Sequence, residues 1–315
     1  MRIRRWGRRI AALLMALSLL LLTGCRSSAP EESEPETTYI TTTFYPLYAL
    51  AVNIMKDVPD LSLSCLVQPQ DGCIRSYELS DWDYSILLHQ DAIIEGGCGL
   101  ESFSSVLTEL SNQPIVMSVL DGVHLTEDNA GNADDENTSH FMGENPWAFM
   151  AVERAMEICI GLAGGMSEVD EPYTEIYHAN LQDYLQRLED LIEEMARTVA
   201  RAPQKQVAVL HEGLTYFAAQ FNLEIACIYP REPGSGAYEN DLIALLETLE
   251  ASGAEVVFLE EQAPDSLVRS LEEAGYPVAR IDTLTAHRAD GDPEAYERIM
   301  LENAQAAYDA LMRTK

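Results

Sequence analysis

Residues 172–202 read PYTEIYHANLQDYLQRLEDLIEEMARTVARA. Within them Tyr177, Leu181, Tyr184, Leu188, Leu191 and Met195 recur at spacings of three and four, which lays one apolar stripe along a helix. Pro172 near the start and Pro203 just past the end mark its boundaries. A helix of about 30 residues spans roughly 45 Å, more than a single lobe needs. A rod of that length in mid-chain predicts two bodies joined by one rigid connection.

Both flanks fit that expectation. Upstream, the β-like runs Tyr39–Phe44, Leu61–Val67, Asp91–Glu95 and Pro114–Leu120 alternate with helical stretches such as Pro46–Lys56 and Trp82–His89. An exposed acidic loop, Asp121–Asn145, follows, then a helix from about Pro146 to Leu162 that Gly164-Gly165 should interrupt. Downstream, Gln206–His211, Leu223–Tyr229, Ala254–Glu260 and Val278–Asp282 repeat the rhythm. Short apolar runs alternating with helices imply parallel strands and βαβ crossovers. The predicted fold is therefore α/β: two lobes, each with a four-stranded parallel sheet flanked by helices, joined by one long rigid helix. The lobes fall at residues 38–168 and 204–315, with the interlobe helix at 169–203. No internal repeat is visible in the sequence.

The N-terminus has a different character. Arg2, Arg4, Arg5, Arg8 and Arg9 precede an uncharged stretch that ends in Leu21-Leu22-Thr23-Gly24-Cys25. A basic head, an apolar core too short to span a bilayer and small residues at the exit read as an export signal over residues 1–24. Residues 25–37, polar, acidic and proline-containing, read as a flexible tether. Without the five arginines, about 15 bases stand against 52 acids, a net charge of about −37. Such a surface argues against nucleic acid and against electrostatic binding to anionic lipid. Cys65, Cys73, Cys98, Cys159 and Cys227 remain, an odd number without zinc-type spacing, and most read as buried free thiols.

Ligands of open parallel sheets bind where loops converge at the carboxyl ends of strands. His211 and Asp282 both end predicted strands of the second lobe, and His140 closes the acidic loop. Neutral imidazoles plus a carboxylate are ordinary ligands for zinc or manganese. Glu260, at another strand end, and His287, five residues past Asp282, are reserve ligands, each with a surface or salt-bridge role as the plainer reading. An enzyme is not expected. His211-Glu212-Gly213-Leu214-Thr215 lacks the second histidine of the metalloprotease helix, and no Gly-x-Ser-x-Gly elbow occurs.

Thr42-Thr43-Phe44-Tyr45-Pro46-Leu47-Tyr48, Leu66-Val67-Gln68-Pro69, Ser76-Tyr77-Glu78 with Asp83 and Asp91, Gly96-Gly97-Cys98-Gly99-Leu100-Glu101 and His211-Glu212-Gly213-Leu214-Thr215-Tyr216-Phe217 occur in that order. Together with Phe258–Gln262 and Ile281-Asp282, they resemble the zinc and manganese solute-binding lipoproteins of metal ABC importers (the cluster A-I type). The resemblance covers residues 38–315, and its Leu-Thr-Gly-Cys counterpart implies lipidation at Cys25. It implies an extracytoplasmic receptor on a bacterial cell membrane, monomeric, that captures zinc or manganese in the interlobe cleft and passes it to a membrane permease. Its third and fourth metal ligands fall on His211 and Asp282. It also brings the Cys73 and Cys98 loops to one rim, where a disulfide or two free thiols would sit. Some members of that family adhere to host surfaces; nothing in these residues argues for or against it.

The chain departs from the family at two ligand positions. Arg75 stands where a histidine precedes the Ser-Tyr-Glu segment, and a guanidinium has no lone pair for a metal. Its charge would repel a divalent cation unless an acid intervenes. The second ligand falls on His140 or, if Trp147 sets the alignment, on Asn145. His140 is preferred, because only a histidine supplies a strong neutral donor. A binding protein of the same fold that uses Arg75 to hold an anionic ligand or metal chelate is the alternative.

Overall fold

The computed structural model describes residues 37–67, 74–126, 144–229 and 242–313. Strands β1 (Thr38–Thr42), β2 (Leu61–Cys65), β3 (Ala92–Glu95) and β4 (Ile115–Ser118) form a parallel sheet in the order β2-β1-β3-β4. Strands β5 (Gln206–Val209), β6 (Glu224–Ile228), β7 (Val256–Glu260) and β8 (Val278–Ile281) form a second parallel sheet in the order β6-β5-β7-β8. The two sheets thus share one topology although the sequence shows no repeat. β3 and β7 are inner strands buried at every residue, as the continuous runs Ala-Ile-Ile and Val-Val-Phe-Leu require when helices cover both faces.

The helices are α1 (Tyr45–Ile54), α2 (Asp81–Leu87), α3 (Ser104–Leu107), α4 (Val152–Val169), α5 (Thr174–Val199), α6 (Leu214–Ala219), α7 (Leu242–Ser252), α8 (Asp265–Glu273) and α9 (Ala295–Met312). The long helix is α5, 26 residues or about 39 Å, lying between the lobes. It buries Tyr177, Tyr184, Leu188, Leu191 and Met195 of the stripe, while Leu181 is only partly covered. It begins later than the periodicity predicts, because Glu171–Tyr173 makes a separate 3₁₀ turn around Pro172.

One expectation fails. Gly164-Gly165 does not interrupt the preceding helix; α4 starts at Val152 and runs through both glycines to Val169. The pair serves packing. A Cβ on Gly165 would lie 2.5 Å from the sulfur of Met117 on β4, so glycine lets α4 lie close against the first sheet.

A single cluster of buried side chains runs from the first sheet through α1, α4 and α5 into α6, α9 and the second sheet. A smaller cluster lies beneath α7 and α8. Arg187 on α5 ties the lobes together. It donates to Asn53 Oδ1 of α1 at 2.8 Å and to the carbonyl of Pro293 at 2.8 Å, and it pairs with Glu297 of α9. Tyr296 of α9 adds a bond from its hydroxyl to the Phe149 carbonyl, 2.8 Å away. The export-signal and tether readings, with Cys25, lie outside the described residues; no described helix is long and apolar enough to cross a membrane.

Candidate functional site

The carboxyl edge of the second sheet sets out three of the predicted residues in a row. His211 follows β5 by two residues, Glu260 ends β7 and Asp282 follows β8 directly. Since β7 lies between β5 and β8, two strand spacings, or roughly 10 Å of backbone, separate the His211 strand end from that of Asp282.

His211 is 4% exposed, and its ring lies edge-on to Trp147, centroids 4.5 Å apart. Its Nδ1 accepts the Gly213 N–H at 3.0 Å, so in the neutral ring the proton sits on Nε2. Nε2 faces Glu260 Oε1 at 3.6 Å, beyond hydrogen-bond reach. Burial, and after it the Arg75 charge, push the His211 pKa down to about 3, so the ring is neutral in ordinary conditions. Ligating a metal through Nε2 requires the proton on Nδ1, facing the Gly213 N–H; loading this ring therefore calls for a shift of the 211–213 turn. Gly213 itself is needed there, because a Cβ would stand 2.9 Å from the Trp147 Cβ and 3.0 Å from His211 Nδ1.

Asp282 belongs to a second group. Its Oδ2 bonds His287 Nε2, its Oδ1 accepts the Leu284 N–H at 2.7 Å, and Asn303 brackets its backbone. The bond to Asp282 raises the His287 pKa, and burial followed by the Asp282 charge raises that of the neighbouring Glu261. The His287 ring lies against Tyr45 of α1, 5.3 Å between centroids, so this group also spans the lobes.

Arg75 reaches the second lobe from the first, on the Ile74–Ser76 turn. A capping box on α2 anchors the loop just after it: Asp83 accepts from the Ser80 N–H and hydroxyl and from the Tyr77 hydroxyl. The Arg75 side chain, 9% exposed, pairs with Glu212 of the second lobe and lies 5.5 Å from the centre of the Trp147 ring. Trp147 in turn donates its indole N–H to the same Glu212 oxygen at 2.9 Å. Sequence reasoning missed Glu212 as a partner. The available signal was the unmet demand for an acid beside Arg75.

Asn145 serves as a clasp here. Its amide donates to the Glu212 carbonyl at 3.1 Å and to the Thr215 hydroxyl at 3.2 Å, while its own carbonyl accepts the Tyr216 hydroxyl at 2.8 Å. The predicted residues are thus gathered as His211 with Glu260 and Asp282 with His287. Glu260 is 3% exposed and faces His211, so of the surface and salt-bridge roles read for it the structure is compatible with the second and not the first. Among the described residues no three His, Cys, Asp or Glu side chains are grouped so as to hold a metal ion. His140 and Cys73 lie outside the described residues. Of the other thiols Cys159 is buried, Cys65 and Cys227 are half-buried, and Cys98 is exposed, against the buried reading.

A family model for the periplasmic component A of the zinc-uptake complex matches residues 40–310. The high-affinity zinc uptake system protein ZnuA of Bacillus subtilis is 22% identical over 317 residues, covering 95% of this chain and 96% of that protein. The zinc-binding lipoprotein AdcA of Streptococcus pneumoniae is 21% identical, covering 95% of this chain but 60% of that longer protein. Among solved structures, the manganese complex of the solute-binding protein FpvC from Pseudomonas aeruginosa superposes with a TM-score of 0.75 at 20% identity, covering 88% of this chain and 99% of that one.

Proposed function

We propose a function on one premise: this chain belongs to the ZnuA family, the periplasmic components of zinc-uptake complexes, which are binding proteins and not enzymes. The chain is a receptor held by lipid at Cys25 on the outer face of a bacterial cell membrane, acting as a monomer between residues 38 and 315. It captures a divalent transition metal, zinc before manganese, in the interlobe cleft and passes it to an ABC permease. His211 and Asp282 supply donors from the second lobe and His140 from the first, with Glu260 in reserve beside His211 and His287 beside Asp282.

The observation carrying this reading is His211: an imidazole kept neutral by burial, at a strand end between the lobes, facing a carboxylate. A neutral imidazole next to carboxylates suits zinc, and two nitrogens with one oxygen leave a fourth position for water. The alternative, an anion held by Arg75, is disfavoured by charge. Glu212 already meets that arginine, and Glu260, Glu261 and Asp282 line the same strand ends. Isothermal titration with zinc and manganese tests the site. The His211→Ala variant is expected to bind at least about 30-fold more weakly, the effect of losing one strong ligand. Unchanged affinity removes His211 from the site. A melt of the unaltered protein that responds to neither metal nor EDTA transfers the cleft to the anion reading.

A further inference from the structure

We propose that Glu212 is a specificity-determining residue that makes a cleft containing Arg75 permissive for a cation. This deepens the metal-receptor reading and rests on it. The guanidinium and His211 meet on one indole: Arg75 lies 5.5 Å from the Trp147 ring centre, and the His211 ring centroid lies 4.5 Å from it. A fixed positive charge so close to an imidazole donor opposes a divalent ion arriving at that imidazole. Glu212 answers the charge from the opposite lobe. Its carboxylate pairs with Arg75 and accepts the Trp147 indole N–H at 2.9 Å, in a site where both charged side chains are about nine-tenths buried. Burial matters because water screens little there, so neither the repulsion nor its cancellation is diluted.

The placement is local to the cargo. Glu212 is the residue after His211, and its backbone carbonyl takes the Asn145 amide that clasps the lobes. Glu212 therefore acts on the metal through Arg75, as a positioning residue and not as a ligand. The pair also leaves the Arg75 charge compensated where it meets the second lobe.

A double-mutant cycle on the full chain tests this, with zinc as the probe in chelator-competition titrations and metal-free thermal unfolding as the second readout. Glu212→Gln is expected to weaken zinc binding about 30-fold or more, because it removes the carboxylate charge that answers the buried guanidinium. Arg75→Met is expected to bind zinc as tightly as the unaltered protein or more tightly. The double variant is expected to recover to within a few-fold of Arg75→Met, and its metal-free melting point to show the same coupling. Equal loss from Glu212→Gln in both backgrounds makes Glu212 a ligand and overturns the proposal. No loss in either background overturns it as well. If Glu212→Gln does not fold, the comparison of Arg75→Met with the unaltered protein decides. Weaker binding by Arg75→Met rejects the idea that the arginine opposes the metal. Binding by Arg75→Met alone rejects shielding by Glu212 but keeps the metal site. Binding by neither rejects the metal-receptor reading itself.

Discussion

His211 has a consequence in acid that needs no metal to observe. Unfolded, its imidazole titrates near the ordinary histidine value of 6.5; in the fold, burial and the Arg75 charge hold it at about 3. Below pH 6.5 the unfolded chain takes up a proton that the folded chain refuses. Stability from this group is whole above 6.5 and falls by about 1.4 kcal/mol per pH unit as pH drops toward the folded value. Thermal melts of metal-free protein between pH 7 and 5, above most carboxylate titration, should show the midpoint falling with pH, and less steeply in His211→Gln. Parallel slopes for the two proteins would show that the ring is not the source. Asp282 was legible as a strand-end carboxylate, but not its engagement by His287 five residues on, because a turn conformation decides that contact.

At the scale of elements, the two glycines of α4 separate two effects that sequence reading merged. Gly164 has open space around its missing side chain, whereas Gly165 faces the sulfur of Met117. Gly164→Ala should stabilise the protein by about 0.5–1 kcal/mol, since alanine loses less entropy in a helix interior. Gly165→Val should destabilise it by about 1–3 kcal/mol by pushing α4 off β4. Urea unfolding of both variants reads the contrast, and shifts of the same sign would refute it. A glycine pair in a helical run signals a break by propensity alone. The sheet it packs against, at Met117 well before it in the chain, overrides that signal. The strands were legible to within a few residues, because an apolar run buried on both faces has few other places to go.

Across the whole molecule, the core does not stop at the boundary between lobes. Because one apolar cluster passes from the first sheet through α5 to the second, the lobes should unfold together. Far-UV dichroism and the fluorescence of Trp147, which sits at the lobe junction, should give coincident transitions. A fluorescence change that precedes loss of helix would mean that the lobes part first. Arg187 bonds to both lobes, and its loss leaves Glu297, whose side chain is 14% exposed, without its cation. Arg187→Met should therefore cost about 1–3 kcal/mol in chemical unfolding while keeping one transition. A negligible change would show that apolar packing alone sets the relation of the lobes.

The amino-acid order alone determined the α/β alternation, the count of parallel strands and the long amphipathic helix, because each follows from periodicity within a single segment. It also placed His211 and Asp282 at strand ends, where topology exposes side chains to a cleft. Tertiary structure alone decided which groups meet there. Glu212 reaches Arg75 from more than a hundred residues away, Asn145 closes onto α6, and Glu260 is buried beside His211. The Glu260 contact depends on β5 and β7 being neighbours in the second sheet, and the other two on how the two sheets are docked through α5; no local pattern in the chain encodes the charge that each side chain finds there.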